Sequence, residues 1–159
     1  MGEARNARGP RKDEYAKSYG KFRVEVYSLP AHRVVVYEMD GYITSDHIDP
    51  YIDDLLAVVR ERRPRGMVAD PKSMSVLSVD FQRAIQNRFW PSIARLGVKR
   101  NPAIIPQATV TQTSVKRMVE NVGETISVGA GLELEIAVLE TLDECLQWIG
   151  RLRPTAVAR

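Results

Sequence analysis

Apolar and polar positions along this chain switch between two periods. Phe22, Val24 and Val26 alternate with Arg23 and Glu25, as in a strand with one buried face. The turn Ser28-Leu29-Pro30-Ala31-His32 leads into Val34-Val35-Val36-Tyr37-Glu38-Met39, a β-branched run closed by Asp40-Gly41. Two strands around a short turn predict a hairpin. Ile48, Ile52, Leu55, Leu56 and Val59 then fall on one helical face. Thr44 or Ser45 can cap the opening of this helix, and Asp49-Pro50 offers a second start. A proline inside a helix removes a backbone hydrogen bond, so a short turn followed by the main helix is expected. The basic segment Arg60 to Arg65, with Pro64, ends it.

Gly66-Met67-Val68-Ala69-Asp70-Pro71 reads as a central strand with an acid at its carboxyl end. After a polar loop, Ser78 is placed to cap a helix whose stripe is Phe81, Ala84, Ile85, Phe89, Ile93 and Leu96, and Pro91 should bend it or break it in two. Asn101 to Thr111 reads as a strand interrupted by Pro106, near an edge or carrying a bulge. Val115, Met118, Val119 and Val122 repeat at helical spacing. Leu134, Ile136 and Val138 alternate as a last strand, and Thr141 caps a helix carrying Leu142, Cys145, Leu146, Ile149 and Leu152. The expected order is β-β-α-β-α-β-α-β-α, a single-domain α/β fold with a mixed, mostly parallel sheet over residues 22–152. Residues 1–21 read as a flexible basic lead, with a short helical piece near Asp13–Tyr19, and 153–159 as a C-terminal tail.

Charge changes this picture little. The chain has 23 basic and 20 acidic residues, but residues 1–21 and 150–159 carry the excess, leaving 14 basic and 17 acidic residues for 22–149. The basic character sits at the ends, and the body lacks the basic and aromatic interleaving of single-strand binders, so no specific nucleic acid is expected. One cysteine and two histidines exclude disulfide frameworks and Cys/His zinc sites. No apolar run suits a leader peptide or a membrane span, so a cytoplasmic location is expected.

Candidate chemistry is thin. His32 and His47 are the histidines available as bases, and no G-x-S-x-G elbow accompanies them. Asp46, His47 and Asp49 surround one turn rather than sharing a face, so they read as acids near a helix start and not as a metal site. Cys145 lies on an apolar stripe and reads as buried and inert. Gly123, Gly129 and Gly131 form no phosphate-binding loop, and no cofactor is expected. The remaining candidate is Asp70-Pro71-Lys72-Ser73-Met74-Ser75-Val76-Leu77-Ser78, at the carboxyl end of a central strand and the start of a helix, where open α/β sheets bind ligands and partners. From residues alone no more than a soluble α/β domain follows.

Three segments resemble the STAS family, the sulfate-transporter and anti-sigma-antagonist domains, in its small stand-alone bacterial branch. They are Val34-Val35-Val36-Tyr37-Glu38-Met39-Asp40-Gly41-Tyr42-Ile43-Thr44, Gly66-Met67-Val68-Ala69-Asp70 and Thr141-Leu142-Asp143-Glu144-Cys145-Leu146-Gln147-Trp148-Ile149. The last is similar to that branch's closing helix, "T-x-x-E-A-x-x-W-[LI]". The resemblance implies a regulatory or scaffolding module rather than an enzyme, docking a protein partner through the loop and helix after the central strand. It implies Asp70, Ser73, Ser75 and Ser78 as the docking and phosphoswitch region. Asp70-Pro71-Lys72-Ser73 stands where the family carries "D-S-[ST]-G". Related folds include CRAL-TRIO lipid carriers, so a carrier of an apolar ligand or lipid is the alternative. A hairpin at a sheet edge would also leave strand backbone open to self-association.

Overall fold

In the computed structural model, which describes residues 10–74 and 76–152, the chain runs as β1 (Lys12–Tyr19), β2 (Phe22–Leu29), β3 (Val34–Asp40), α1 (Ser45–Arg62), β4 (Gly66–Ser73), α2 (Val79–Ala84), a π-helical stretch (Ile85–Phe89), α3 (Trp90–Arg95), β5 (Arg100–Ile104), α4 (Thr109–Val122), β6 (Thr125–Ser127), β7 (Glu133–Leu139) and α5 (Leu142–Gly150). The strands form one mixed seven-stranded sheet ordered β1-β2-β3-β4-β5-β7-β6. β3, β4, β5 and β7 are parallel to one another, and β1, β2 and β6 flank them as antiparallel strands. The fold is α/β with a mixed sheet, but half of its ladders are antiparallel where a mostly parallel sheet was expected.

Over Lys12–Tyr19, β1 replaces the expected flexible, partly helical lead; the rest of that lead before residue 10, and the expected tail over 153–159, lie outside the described residues. Lys12–Tyr19 pairs antiparallel with β2, with a bulge between Lys12 and Tyr15. Its apolar content is low because polar contacts hold it to α1. The Lys17 ammonium lies 2.6 Å from Asp54, the Tyr19 hydroxyl donates to the same carboxylate, and Arg62 donates to the Asp13 carbonyl at 2.9 Å. Periodicity cannot register such anchoring. β1 also covers β2, so the β2–β3 hairpin is not at an edge and does not offer open backbone. The true edges are the bulged, lysine-bearing β1 and the three-residue β6, both poor templates for pairing.

Three other local expectations change. α1 is continuous through Pro50, which falls in its second turn; Pro50 and Asp46 are both exposed, so the Asp46 carbonyl that loses its donor can take water. α2, the π-helical stretch and α3 form one rod that widens over Ile85–Phe89, just before Pro91, and so absorbs the proline without breaking. β5 ends at Ile104, ahead of Pro106, and sits centrally between β4 and β7 rather than near an edge. It carries Pro102, and its pairing to β4 is limited to Gly66 with Arg100 and Ala69 with Ala103.

The parallel strands step in one direction, so α1, the α2–α3 rod and α4 all pack on the same face. Phe22, Tyr51, Phe81, Phe89 and Ile93 lie at the centre of that layer, the aromatic rings meeting edge to face at 5.0 Å for Phe22 and Tyr51. Among the described residues, α5 alone covers the other face, setting Leu142, Cys145, Leu146 and Ile149 against Tyr27, Val34, Val36 and Val68. Both faces of β3 are therefore buried, which is why its sequence is a continuous apolar run. Gly66 is required by this layer: a Cβ there would stand 2.6 Å from Ile149 Cδ1. No described helix is long and apolar enough to cross a membrane.

Candidate functional site

The chain leaves β3, β4 and β5 along one edge of the sheet, at three strand-to-helix junctions, and backbone and side-chain bonds tie these junctions together. Gly41 N–H donates to the Ser73 carbonyl at 3.4 Å, Ser45 Oγ donates to Asp80 at 2.9 Å, and Thr111 Oγ1 donates to the Met74 carbonyl at 2.8 Å. Gly41 sits at φ +90°, and a Cβ there would fall 2.2 Å from the Lys21 carbonyl oxygen, so only glycine allows the β1–β2 turn to close against the end of β3.

The large apolar side chains left exposed among the described residues gather on this edge. Tyr42 (43% exposed) follows β3, Val76 (44%) and Val79 (58%) follow β4, and Val110 (62%) opens α4 after β5. Each lies at a junction rather than on a buried stripe. The sequence reading included Val76 in the candidate stretch after β4 but singled out none of the four as an exposed apolar side chain, and it placed Val110 in a strand. The available signal was an apolar residue outside every periodic stripe. Acids border the patch: Asp80 and Asp46 are exposed and Asp40 is half-buried.

The three candidate residues that the structure describes, Asp70, Ser73 and Ser78, do not converge. Asp70 is half-buried on the face covered by α5, beside Glu38 across the β3–β4 ladder. Burial, and then the Glu38 carboxylate, push the Asp70 carboxyl up to about 6, while Lys72 pulls it down. Lys72 instead pairs with the buried Glu38 at 3.2 Å. Asp70 and Lys72 border a shallow cleft with Ile104, Pro106, Gln112 and Glu140. Chemically this is a proton-exchanging acid next to an ion pair, with no serine, threonine, cysteine or histidine among the cleft's lining.

Ser78 heads α2 on the opposite face of the sheet. Its Oγ accepts from the Phe81 N–H at 3.1 Å, so it is the helix cap that its position predicts. Ser73 is exposed at the end of β4, paired with Asp40. Ser75 lies outside the described residues. The strand order never reverses across the parallel strands, so the crevice that doubly wound sheets form at a switch point is absent from this edge.

The other candidates have structural partners. His47 Nδ1 is 3.1 Å from Thr44 Oγ1, and the Thr44 hydroxyl donates to Asp46, closing the first turn of α1; the imidazole packs over the Gly20 turn. Asp49 and Asp53 both hold the Arg88 guanidinium, pinning α1 to the α2–α3 rod. His32 ends the short 3₁₀ turn between β2 and β3. Among the described residues, no three His, Cys, Asp or Glu side chains converge in a way that could hold a metal ion. Cys145 is fully buried, and burial pushes its thiol up to about 12, leaving almost no thiolate near neutrality. Trp148 lies under the Arg100 guanidinium, 4.6 Å from ring centre to charge.

Beneath the three-helix face lies a polar hub that the sequence did not advertise. Asn101 is buried, donates to the Met67 carbonyl at 2.8 Å, accepts from Trp90 Nε1 at 3.1 Å, and exchanges hydrogen bonds with the Tyr37 hydroxyl. No family model matches this chain, and no curated protein matches it.

Proposed function

We propose that this protein is a STAS-like, non-enzymatic module that binds a protein partner through the edge formed by the β3–α1, β4–α2 and β5–α4 junctions. One observation carries the reading. Tyr42, Val76, Val79 and Val110 are exposed together at one end of the sheet. Exposed apolar side chains gathered in this way, rimmed by polar residues, are the usual mark of a protein contact surface. Their acidic surround favours a partner whose apolar contact is bordered by basic side chains. Ser73 lies on this edge, where a phosphate would add negative charge to an already acidic rim and repel such a partner. A phosphate on Ser78 would stand beside the amides that open α2 and close to Asp80, so attraction and repulsion would compete there. Asp70, turned toward α5, is not part of the contact in this reading.

Site-specific photo-crosslinking in the native cell tests the proposal. A crosslinker placed at Val79 or Val110 should capture a discrete protein that one placed at Glu133, on the far edge, does not. Val76→Asp combined with Val110→Asp should abolish that capture without unfolding the domain. Identical capture from both edges, or capture indifferent to the double substitution, would overturn the reading.

A further inference from the structure

The edge that carries Tyr42, Val76, Val79 and Val110 is charged as well as apolar. Asp46 and Asp80 are exposed beside it, and Asp40 is half-buried. Among the described residues, no lysine or arginine pairs with any of the three, and the His47 ring stands 3.9 Å from Asp46. The hydroxyls of Thr44 and Ser45 donate to Asp46 and Asp80, and a neutral donor leaves the carboxylate charge in place. The Thr44 bond holds the Asp46 carboxyl below its ordinary range, so it is ionised at neutrality.

A second copy of this chain offers one segment of the complementary kind. The large exposed apolar side chains of the described residues are the four on this edge, so no other described surface supplies a large apolar counterpart. Edge against edge would set acid against acid. The two stretches outside the described residues differ in chemistry. Residues 1–9 carry Glu3 among their arginines, and apart from Met1 their apolar side chains are alanines. Arg153-Pro154-Thr155-Ala156-Val157-Ala158-Arg159 has no acid and sets Ala156, Val157 and Ala158 between two guanidinium groups. An apolar centre with a basic border is the inverse of the edge.

The chain's own edge is out of range of this segment. α5 runs back to the start of β4, where Ile149 lies against Gly66 and Arg65 donates to the Leu152 carbonyl at 3.4 Å. The edge lies past Ser73, at the other end of β4. At about 3.3 Å per residue, Gly66 and Ser73 are roughly 23 Å apart. Val157 is five positions beyond Leu152, and five residues span at most about 18 Å. The segment can reach the edge of a neighbouring copy but not its own.

We propose that the acidic edge receives the segment 153–159 of a second copy, Val157 and its flanking alanines meeting Val76, Val79 and Val110 while the arginines meet Asp46 and Asp80. The contact joins unlike surfaces and links copies head to tail. It rests on the reading of that edge as a protein contact surface, and names its partner.

Sedimentation equilibrium of the full chain tests this up to about 1 mM, where a contact with a millimolar Kd is substantially formed. The average mass should rise with concentration above that of one chain, and fall back in high salt as the charges are screened. Val157→Asp sets acid against acid and Val110→Lys sets base against base, so each should weaken association about tenfold or more. An equimolar mixture of the two variants should associate again, because the intact edge of one chain meets the intact segment of the other. A chain that sediments as a monomer throughout, or association indifferent to Val157→Asp, would overturn the inference. A monomeric chain whose crosslinker at Val79 captures a different protein overturns this partner and leaves the docking edge standing. A monomeric chain that captures nothing there overturns both.

Discussion

Replacing Asn101 with leucine tests the internal logic of the three-helix face. Leucine keeps the branched outline of asparagine but is larger, so the perturbation is the loss of hydrogen bonding with some overpacking rather than the opening of a void. Three groups lose a partner at once: the Trp90 N–H, the Tyr37 hydroxyl and the Met67 carbonyl. Each buried group left unpaired costs about 1–3 kcal/mol. Tyr37 borders a pocket of about 70 Å³ under the three-helix layer, space into which its side chain can relax, so the sum should fall short of three full penalties. The expected loss is about 3–5 kcal/mol, a large share of the 5–15 kcal/mol typical of a domain. Urea unfolding should report it as a lower midpoint at unchanged slope, and heating as a melting temperature lower by roughly 10 °C. Asn101→Asp supplies a control with the shape retained. Its ionised form still accepts from Trp90 and Tyr37 but cannot donate to Met67, whereas its protonated form can. Burial raises the folded-state pKa of such a carboxyl above its unfolded value. The folded variant then holds the proton to higher pH than the unfolded chain, and its stability falls as pH rises through that interval. Asn101→Leu within about 0.5 kcal/mol of the parent would refute the reasoning, since the three groups would have found other partners.

Two further outcomes follow from the packing. Asp70 is raised from 3.8 when free to about 6 in the fold, so the folded state binds its proton more tightly; stability should drop by up to about 3 kcal/mol between pH 4 and pH 6, and Asp70→Asn should remove that slope and stabilise the protein at pH 7, as read by urea midpoints across pH. An unchanged slope in the variant would assign the effect to another group. Gly66→Ala places a Cβ 2.6 Å from Ile149 and should cost about 1–3 kcal/mol by overpacking, with Ile149→Val recovering part of it; strictly additive losses in a double-mutant cycle would show that the two residues do not press on each other.

Most of the periodic elements were legible in the sequence. β2, β3, β4, β7, α1 and α5 bury apolar side chains at regular spacing, and the caps at Ser78 and Thr141 lie where their chemistry predicts. β1 was not legible, because Asp54 and Arg62 hold it from another element 35 or more positions away. β6 has only three residues, too few for a period to show. Pro91 was expected to bend or break its helix, and a π-helical widening that preserves the rod instead leaves no mark in composition. The site divided in a similar way. Asp70 and Ser78 are neighbours along the chain, yet strand alternation and the turn into α2 send them to opposite faces. The exposed valines were hidden because isolated apolar residues at junctions resemble ordinary loop content. Asn101 and Tyr51 take their meaning from what surrounds them in space, which one-dimensional reading does not supply.

The lopsided layering also bears on biosynthesis. Once Leu139 has emerged from the ribosome, three helices can already shield one side of the sheet, while Val34, Val36 and Val68 on the reverse side still lack their cover. The nine residues Leu142–Gly150 supply it. A nascent or proteolytically shortened chain lacking them would present a greasy, nearly finished sheet to its surroundings, a natural target for chaperones and a seed for clumping.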